Sequence, residues 1–71
     1  MIMYKLIKSV YTNTINEVQR LSDNAFIPFD TANTDYANFK KQINADEAQL
    51  EDADGNLMTA EQAKAYVATL P

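Results

Sequence analysis

The chain contains neither cysteine nor histidine, and for 71 residues this absence limits how a fold can be stabilised. It excludes disulfides and the usual zinc ligands. One hydrophobic core in a domain this small rarely supplies more than about 3–5 kcal/mol. We therefore expect a single domain over residues 1–71 with a small core, helped by contacts with partner proteins or by homo-oligomer formation.

The sequence offers little for catalysis. Ser9 and Ser22 have no histidine to activate them, and a single glycine, Gly55, cannot form a glycine-rich phosphate-binding loop. The carboxylates of residues 46–52 lie in a polar stretch, whereas a catalytic pair needs one carboxyl group in an apolar pocket. We predict that the chain is not an enzyme and has no catalytic residues and no cofactor.

The segment Asp52-Ala53-Asp54-Gly55-Asn56 begins like a calcium-binding loop, but its spacing does not fit. An EF-hand has glycine at the sixth position and a bidentate glutamate at the twelfth. Counted from Asp52, those positions are Leu57 and Ala63. Because Asp-Gly is favoured in hairpin turns, we predict a turn here and no metal site.

The formal net charge is −4, and the charges are unevenly distributed. From residue 46 onward, Lys64 is the only basic residue against a set of carboxylates: Asp46, Glu47, Glu51, Asp52, Asp54 and Glu61. The chain has no basic stripe of the kind that neutralises phosphates, so nucleic acid is not an expected partner. Lysines interrupt the apolar start MIMYKLIKSVY, so no signal peptide, membrane span or membrane partner is expected either.

The residue pattern predicts an α+β fold: a three-stranded antiparallel meander followed by a helix, a short β-hairpin and a C-terminal helix. Alternating β-prone residues indicate strands at 2–11, at 15–22 and from Ala25 onward. Asp-Asn at the centre of Ser22–Ala25 favours a two-residue turn, with Leu21 opposite Phe26. Pro28 cannot donate a hydrogen bond to a neighbouring strand, so the third strand is short or lies at an edge.

Each helix has a recognisable start. Asn33 or Thr34 is the expected N-cap of the first helix, which should end near Asn44. Thr59 and Gln62 have the spacing of a capping box at the start of the second. The residues expected on the buried faces are Tyr36, Phe39 and Ile43 in the first helix, and Ala63, Tyr66, Val67 and Leu70 in the second. The second hairpin is expected to pair residues 49–51 with 57–58.

Four residues around the third strand are candidates for a protein interface: Phe26, Pro28, Phe29 and Tyr36. Phe29 and Tyr36 bracket the turn between the strand and the helix. Burial in the core is the default expectation for aromatic residues, but tyrosine and phenylalanine are also favoured in interface cores. We therefore predict a structural joint whose exposed side is an assembly surface.

The stretch from Arg20 to Tyr36, RLSDNAFIPFDTANTDY, resembles a small tail-associated module of tailed bacteriophages and prophages. The family pattern is a hairpin turn, Ile-Pro, two or three residues, Ala-Asn, and Asp-Tyr opening a helix. Residues 4–8 are similar to the family's first strand, so the likeness covers residues 4 to about 43. Asn24 stands where the family often has glycine, and beyond Ile43 an acidic hairpin and a capped helix replace the family's tryptophan and its end rich in glycine and proline.

The resemblance implies a non-enzymatic virion structural protein of the tail or baseplate, and it brings no catalytic residues. Its expected partners are other phage structural proteins, and its expected locations are the virion and, during assembly, the host cytoplasm. The charge distribution leaves an alternative open. A small acidic phage protein could bind and inhibit a host protein through residues 46–54, or act as an assembly helper that is absent from the particle.

Overall fold

A computed structural model describes residues 2–71 and contains one layer of sheet and one layer of helix. The elements are β1 (Ile2–Lys8), β2 (Ile15–Arg20), β3 (Ala25–Pro28), α1 (Thr34–Asn44), β4 (Ala48–Glu51) and α2 (Ala60–Ala68). The predicted α+β class is confirmed, as is the order of meander, helix, hairpin-like strand and C-terminal helix.

The strands lie side by side in the order β3-β2-β1-β4. The first three form the predicted antiparallel meander, whereas β4 pairs with β1 in parallel. Parallel strands need a long crossover connection, and α1 supplies it between β3 at one edge and β4 at the other. The predicted local hairpin partner of β4 is reduced to a bridge between Glu51 and Leu57 and a hydrogen bond from the Met58 backbone N–H to the Leu50 carbonyl, at 2.9 Å.

The turn between β2 and β3 is wider than predicted. Arg20 pairs with Ala25 and Gln19 pairs with Phe26, so the predicted two-residue turn and the pairing of Leu21 with Phe26 are wrong. The Asp23 carboxylate accepts hydrogen bonds from the Arg20 guanidinium at 2.8 and 3.0 Å and from the Ala25 backbone N–H at 3.2 Å. These side-chain bonds stabilise a four-residue loop over residues 21–24. The first two strands also end earlier than predicted, at Lys8 and Arg20.

Both helices begin as the sequence predicts. The Asn33 side chain accepts a hydrogen bond from the Tyr36 backbone N–H at 3.0 Å, which identifies Asn33 as the N-cap of α1. Thr59 and Gln62 form the reciprocal capping box of α2, at 3.1 and 3.0 Å. These bonds satisfy backbone donors that a helix start otherwise leaves without a partner.

The core lies between the helices and one face of the sheet. Every strand contributes to it, and so do both helices; its buried residues are Tyr4, Leu6, Val18, Ile27, Tyr36, Phe39, Ile43, Ala48, Leu50, Ala63 and Val67. The predicted inward faces are confirmed in α1 and for Ala63 and Val67 in α2, while Tyr66 and Leu70 are partly buried against the core. Since both helices cover the same face of the sheet, the opposite face is left for other contacts.

Candidate protein-binding surface

The uncovered side of the sheet, called here the open sheet face, follows from strand geometry. Successive side chains of a strand point to opposite faces, and Leu6, Val18 and Ile27 are paired neighbours that all point into the core. Their alternate neighbours therefore point outward. The open sheet face consists of Met3, Lys5, Ile7, Glu17, Gln19, Phe26, Pro28, Gln49 and Glu51, all of them partly or fully exposed.

Phe26 is the largest apolar side chain that this face presents, and 59% of it is exposed. It lies at the β3 end of a row that continues through Gln19 and Lys5 to Glu51. Pro28, two residues further along β3, points to the same side and pairs with Glu17. An apolar patch at β3 thus adjoins a polar and charged area toward β4, which is the arrangement of core and rim found in protein interfaces.

The two edges of the sheet are poorly suited to pairing with another strand. In β3, the Phe29 backbone N–H donates to the Asn16 carbonyl of the inner neighbour at 3.1 Å. Since backbone groups alternate in direction along a strand, Pro28 occupies a position that points outward, where it offers no donor. At the other edge, residues 57–58 cover β4. Proline and covering segments are two ways in which proteins protect sheet edges.

The structure divides the four predicted interface residues into two pairs. Phe26 and Pro28 lie exposed on the open sheet face. Phe29 and Tyr36 lie together on the helix side, with ring centroids 5.4 Å apart. Tyr36 is 0% exposed, its hydroxyl donates to the Pro71 carbonyl at 2.7 Å, and burial raises its pKa. Its position argues against direct contact with a partner, so the exposed apolar side chains of residues 26–36 are those of β3, Phe26 and Pro28.

Arg20 links the loop before β3 to the start of α1, a contact that was not predicted from the sequence. Its guanidinium binds both carboxylate oxygens of Asp23, and another of its nitrogens lies 3.5 Å from the Asp35 carboxylate at the start of α1. The Arg20 bonds hold the pKa of the Asp23 carboxyl below its usual value. Arg20 and Asp23 are three residues apart, so their ion pair could have been predicted from the sequence. The contact between Arg20 and Asp35 depends on the fold.

A pocket of about 120 Å³ opens where β4 meets the two helices, on the helix side of the sheet. Its lining was not predicted and comes from α1, the loop after it, β4 and the start of α2: Ile43, Asp46, Ala48, Gln49, Leu50, Met58, Ala60 and Ala63. The carboxylate of Asp46 lies 2.9 Å from the Lys64 ammonium. This pocket brings together residues from distant parts of the chain, so no local pattern marks it.

The turn at Asp52–Asn56 takes the predicted hairpin form. The Asp52 carboxylate accepts hydrogen bonds from the backbone N–H groups of Asp54 and Asn56, both at 2.9 Å, and these bonds lower its pKa. Gly55 adopts a φ of 87°, which glycine tolerates readily. The carboxylate that could have begun a calcium loop is thus bonded to its own backbone.

Over residues 2–71, no helix is long and apolar enough to cross a membrane, and no group of three or more potential ligand side chains is arranged to hold a metal ion. Comparisons with protein-family models, with curated proteins and with solved structures find no match.

Proposed function

We propose that this chain is a non-enzymatic structural protein that binds other proteins through its open sheet face, and that its partners are structural proteins of a bacteriophage tail or baseplate. The main support for a binding role is that Phe26 is exposed beside Pro28 on a sheet face that no other layer covers. The phage assignment rests on the resemblance of residues 20–36 to the tail-associated module.

The position of Phe26 supports a binding role because it does not serve the core. Fully burying a phenylalanine side chain contributes about 1.5–3 kcal/mol, and a domain this small needs most such contributions for its own stability. This chain places one of its three phenylalanines largely outside. A partner that covers Phe26 would gain that apolar contact, while Lys5, Glu17 and Glu51 would form a polar rim.

The sheet edges favour contact through the face over strand addition. Strand addition depends on a row of free backbone donors and acceptors. Pro28 has no backbone N–H to offer at the β3 edge. At the β4 edge, the Leu50 carbonyl already accepts a hydrogen bond from the Met58 backbone N–H. The sheet would therefore meet its partner with side chains, and substitutions there should change binding without disturbing the strands.

The inhibitor alternative relies on free carboxylates in residues 46–54. One of them, the Asp52 carboxylate, accepts backbone hydrogen bonds within the chain, whereas the exposed pair of Asp46 with Lys64 is a weak contact. The choice of the apolar face as the principal binding surface therefore rests on the exposed Phe26. Ionic strength distinguishes the two functions, because an electrostatic contact weakens as salt increases.

Mass spectrometry of gradient-purified particles from the phage that encodes the chain tests the proposal. We expect a constant ratio of this protein to the major capsid protein. Phe26→Ser should reduce incorporation, whereas Tyr11→Ser, which alters a side chain 95% exposed in the β1–β2 loop, should not. Absence from particles with abundance in infected cells would refute the virion role and favour an inhibitor or assembly helper. Normal incorporation of folded Phe26→Ser would refute the role of the open sheet face.

A further inference from the structure

The pocket between β4 and the helices is lined by small and aliphatic side chains. Ala48, Ala60 and Ala63 surround it with Leu50 and Met58, and the short alanine side chains leave its volume of about 120 Å³ unfilled. An apolar cavity of about 150 Å³ is large enough for a benzene molecule. The pocket therefore matches the side chain of a leucine or methionine better than a larger aromatic ring.

The chain around the pocket carries negative charge. Asp46 lines the pocket. Seven of its eight lining residues come from residues 46–63, and residues 46–71 carry six carboxylates against one cation, Lys64. An apolar pocket in an acidic part of the chain is complementary to an apolar side chain with basic neighbours.

The ion pair between Asp46 and Lys64 does not block such a partner. The Asp46 side chain is 61% exposed and the Lys64 side chain is 39% exposed. Exposed pairs of this kind contribute little to stability. A partner's lysine or arginine can therefore take the place of Lys64 beside the carboxylate at small cost. Lys64 can then turn into solvent on its flexible side chain.

We infer that this pocket is a second protein-binding site, which accepts a leucine or methionine side chain from a partner segment with lysine or arginine on either side. The inference goes beyond the proposed function and does not depend on it, because the pocket lies on the helix side of the sheet and shares only Gln49 with the open sheet face.

Titration of the ¹⁵N-labelled protein with short capped peptides tests the inference at low ionic strength. The probes are Arg-Lys-Leu-Lys-Arg, the same peptide with serine in place of leucine, and Glu-Glu-Leu-Glu-Glu. We expect the first peptide to shift the amide signals of Ile43, Ala48, Met58 and Ala63. Because burying the leucine side chain is the main apolar gain, the serine peptide should bind about tenfold more weakly or worse. The acidic peptide should not bind.

Two variants of α2 provide a matched pair. Ala60→Leu places a larger side chain in the pocket, whereas Ala65→Leu makes the same change at an exposed position outside the lining. We expect Ala60→Leu to abolish binding of the leucine peptide and Ala65→Leu to leave it within about twofold. The dispersion of each variant's spectrum shows whether it folds. If Ala60→Leu does not fold, the comparison of leucine and serine peptides on the unaltered chain decides.

Several results would overturn the inference. These are the absence of shifts at millimolar leucine peptide, equal binding of the serine peptide, or shifts centred on the open sheet face. Undiminished binding to folded Ala60→Leu would do the same. Pocket signals that move with protein concentration alone would identify a second copy of the chain as the occupant and would also contradict a basic partner segment.

Discussion

Two phenylalanines in different environments, Phe39 in the core and Phe26 on the open sheet face, allow a direct test of the packing. Phe39 is 0% exposed, meets Tyr4 edge-on with ring centroids 4.9 Å apart and stacks on Phe29 at 6.4 Å. Truncating a buried phenylalanine to alanine costs about 3–5 kcal/mol, because transfer energy is lost and a cavity is left. The aromatic pairs contribute about 0.5–1.5 kcal/mol each and place Phe39→Ala at the upper end of that range.

Phe26 has a much smaller expected effect, because 59% of it is already exposed. Complete burial contributes about 1.5–3 kcal/mol, so the buried part of this side chain accounts for about 1 kcal/mol. At roughly 0.05–0.15 kcal/mol per residue, a domain of this length is expected to be stable by about 4–11 kcal/mol. Phe39→Ala should therefore remove about half of that stability or more, while Phe26→Ala should keep most of it.

Urea denaturation followed by circular dichroism measures both variants against the unaltered chain. The slope of unfolding free energy against urea should stay constant for Phe26→Ala, because the native state and its exposed surface are unchanged. A cost below about 1.5 kcal/mol for Phe39→Ala would contradict its place at the centre of the core, where truncation is expected to cost at least twice as much. Equal costs for the two variants would contradict the open sheet face, and with it the proposal that Phe26 is retained for binding.

Three further predictions concern titration and capping. Burial raises the pKa of Tyr4, Tyr36 and Tyr66 above 10.0, so the stability linked to their protonated forms is complete below about pH 9 and is lost as the pH rises through the folded-state values. The urea midpoint should fall above about pH 10 and fall less in Tyr4→Phe; an equal fall would contradict the linkage. Hydrogen bonds from the backbone lower the pKa of Asp52, so the pH dependence of its contribution to stability is opposite to that of the tyrosines. This contribution is present above the usual pKa of 3.8 and is lost on acidification. Asp52→Asn should therefore lose less thermal stability than the unaltered chain between about pH 5 and pH 2, and an identical loss would refute a role for this carboxylate. Thr59→Ala removes the α2 cap and should cost about 1 kcal/mol in urea denaturation; no change would show that the capping box adds nothing to stability.

Local chemistry made most of the secondary structure predictable. The Thr59 and Gln62 pair and the Asn33 cap mark helix starts through side chains that satisfy nearby backbone groups. The spacing of Tyr36, Phe39 and Ile43 identifies a buried helical face by geometry alone. Each of these signals lies within a few residues of the structure that it determines.

Features that depend on distant residues were not predictable in the same way. The pairing of β4 with β1 joins Ala48 to Ile2 across most of the chain, and no local pattern distinguishes it from a simple hairpin. The prediction of a two-residue turn between β2 and β3 was wrong, because the width of the loop at residues 21–24 depends on Arg20 binding Asp23 as well as on backbone preference. The pocket likewise follows from the packing of α1 against α2 and β4.

The two proposed surfaces share a physical property that links the small core to binding. Phe26 leaves apolar area in solvent on one side of the sheet, and Ala48, Ala60 and Ala63 leave a pocket unfilled on the other. A partner present at 100 times its dissociation constant stabilises the folded chain by about 2.7 kcal/mol. This gain is comparable with the contribution of about 3–5 kcal/mol that is expected from the core alone. Occupying either surface should therefore raise the unfolding temperature in proportion to the logarithm of partner concentration. A partner that binds tightly without this shift would have to bind the unfolded chain equally well, and neither surface exists in that state.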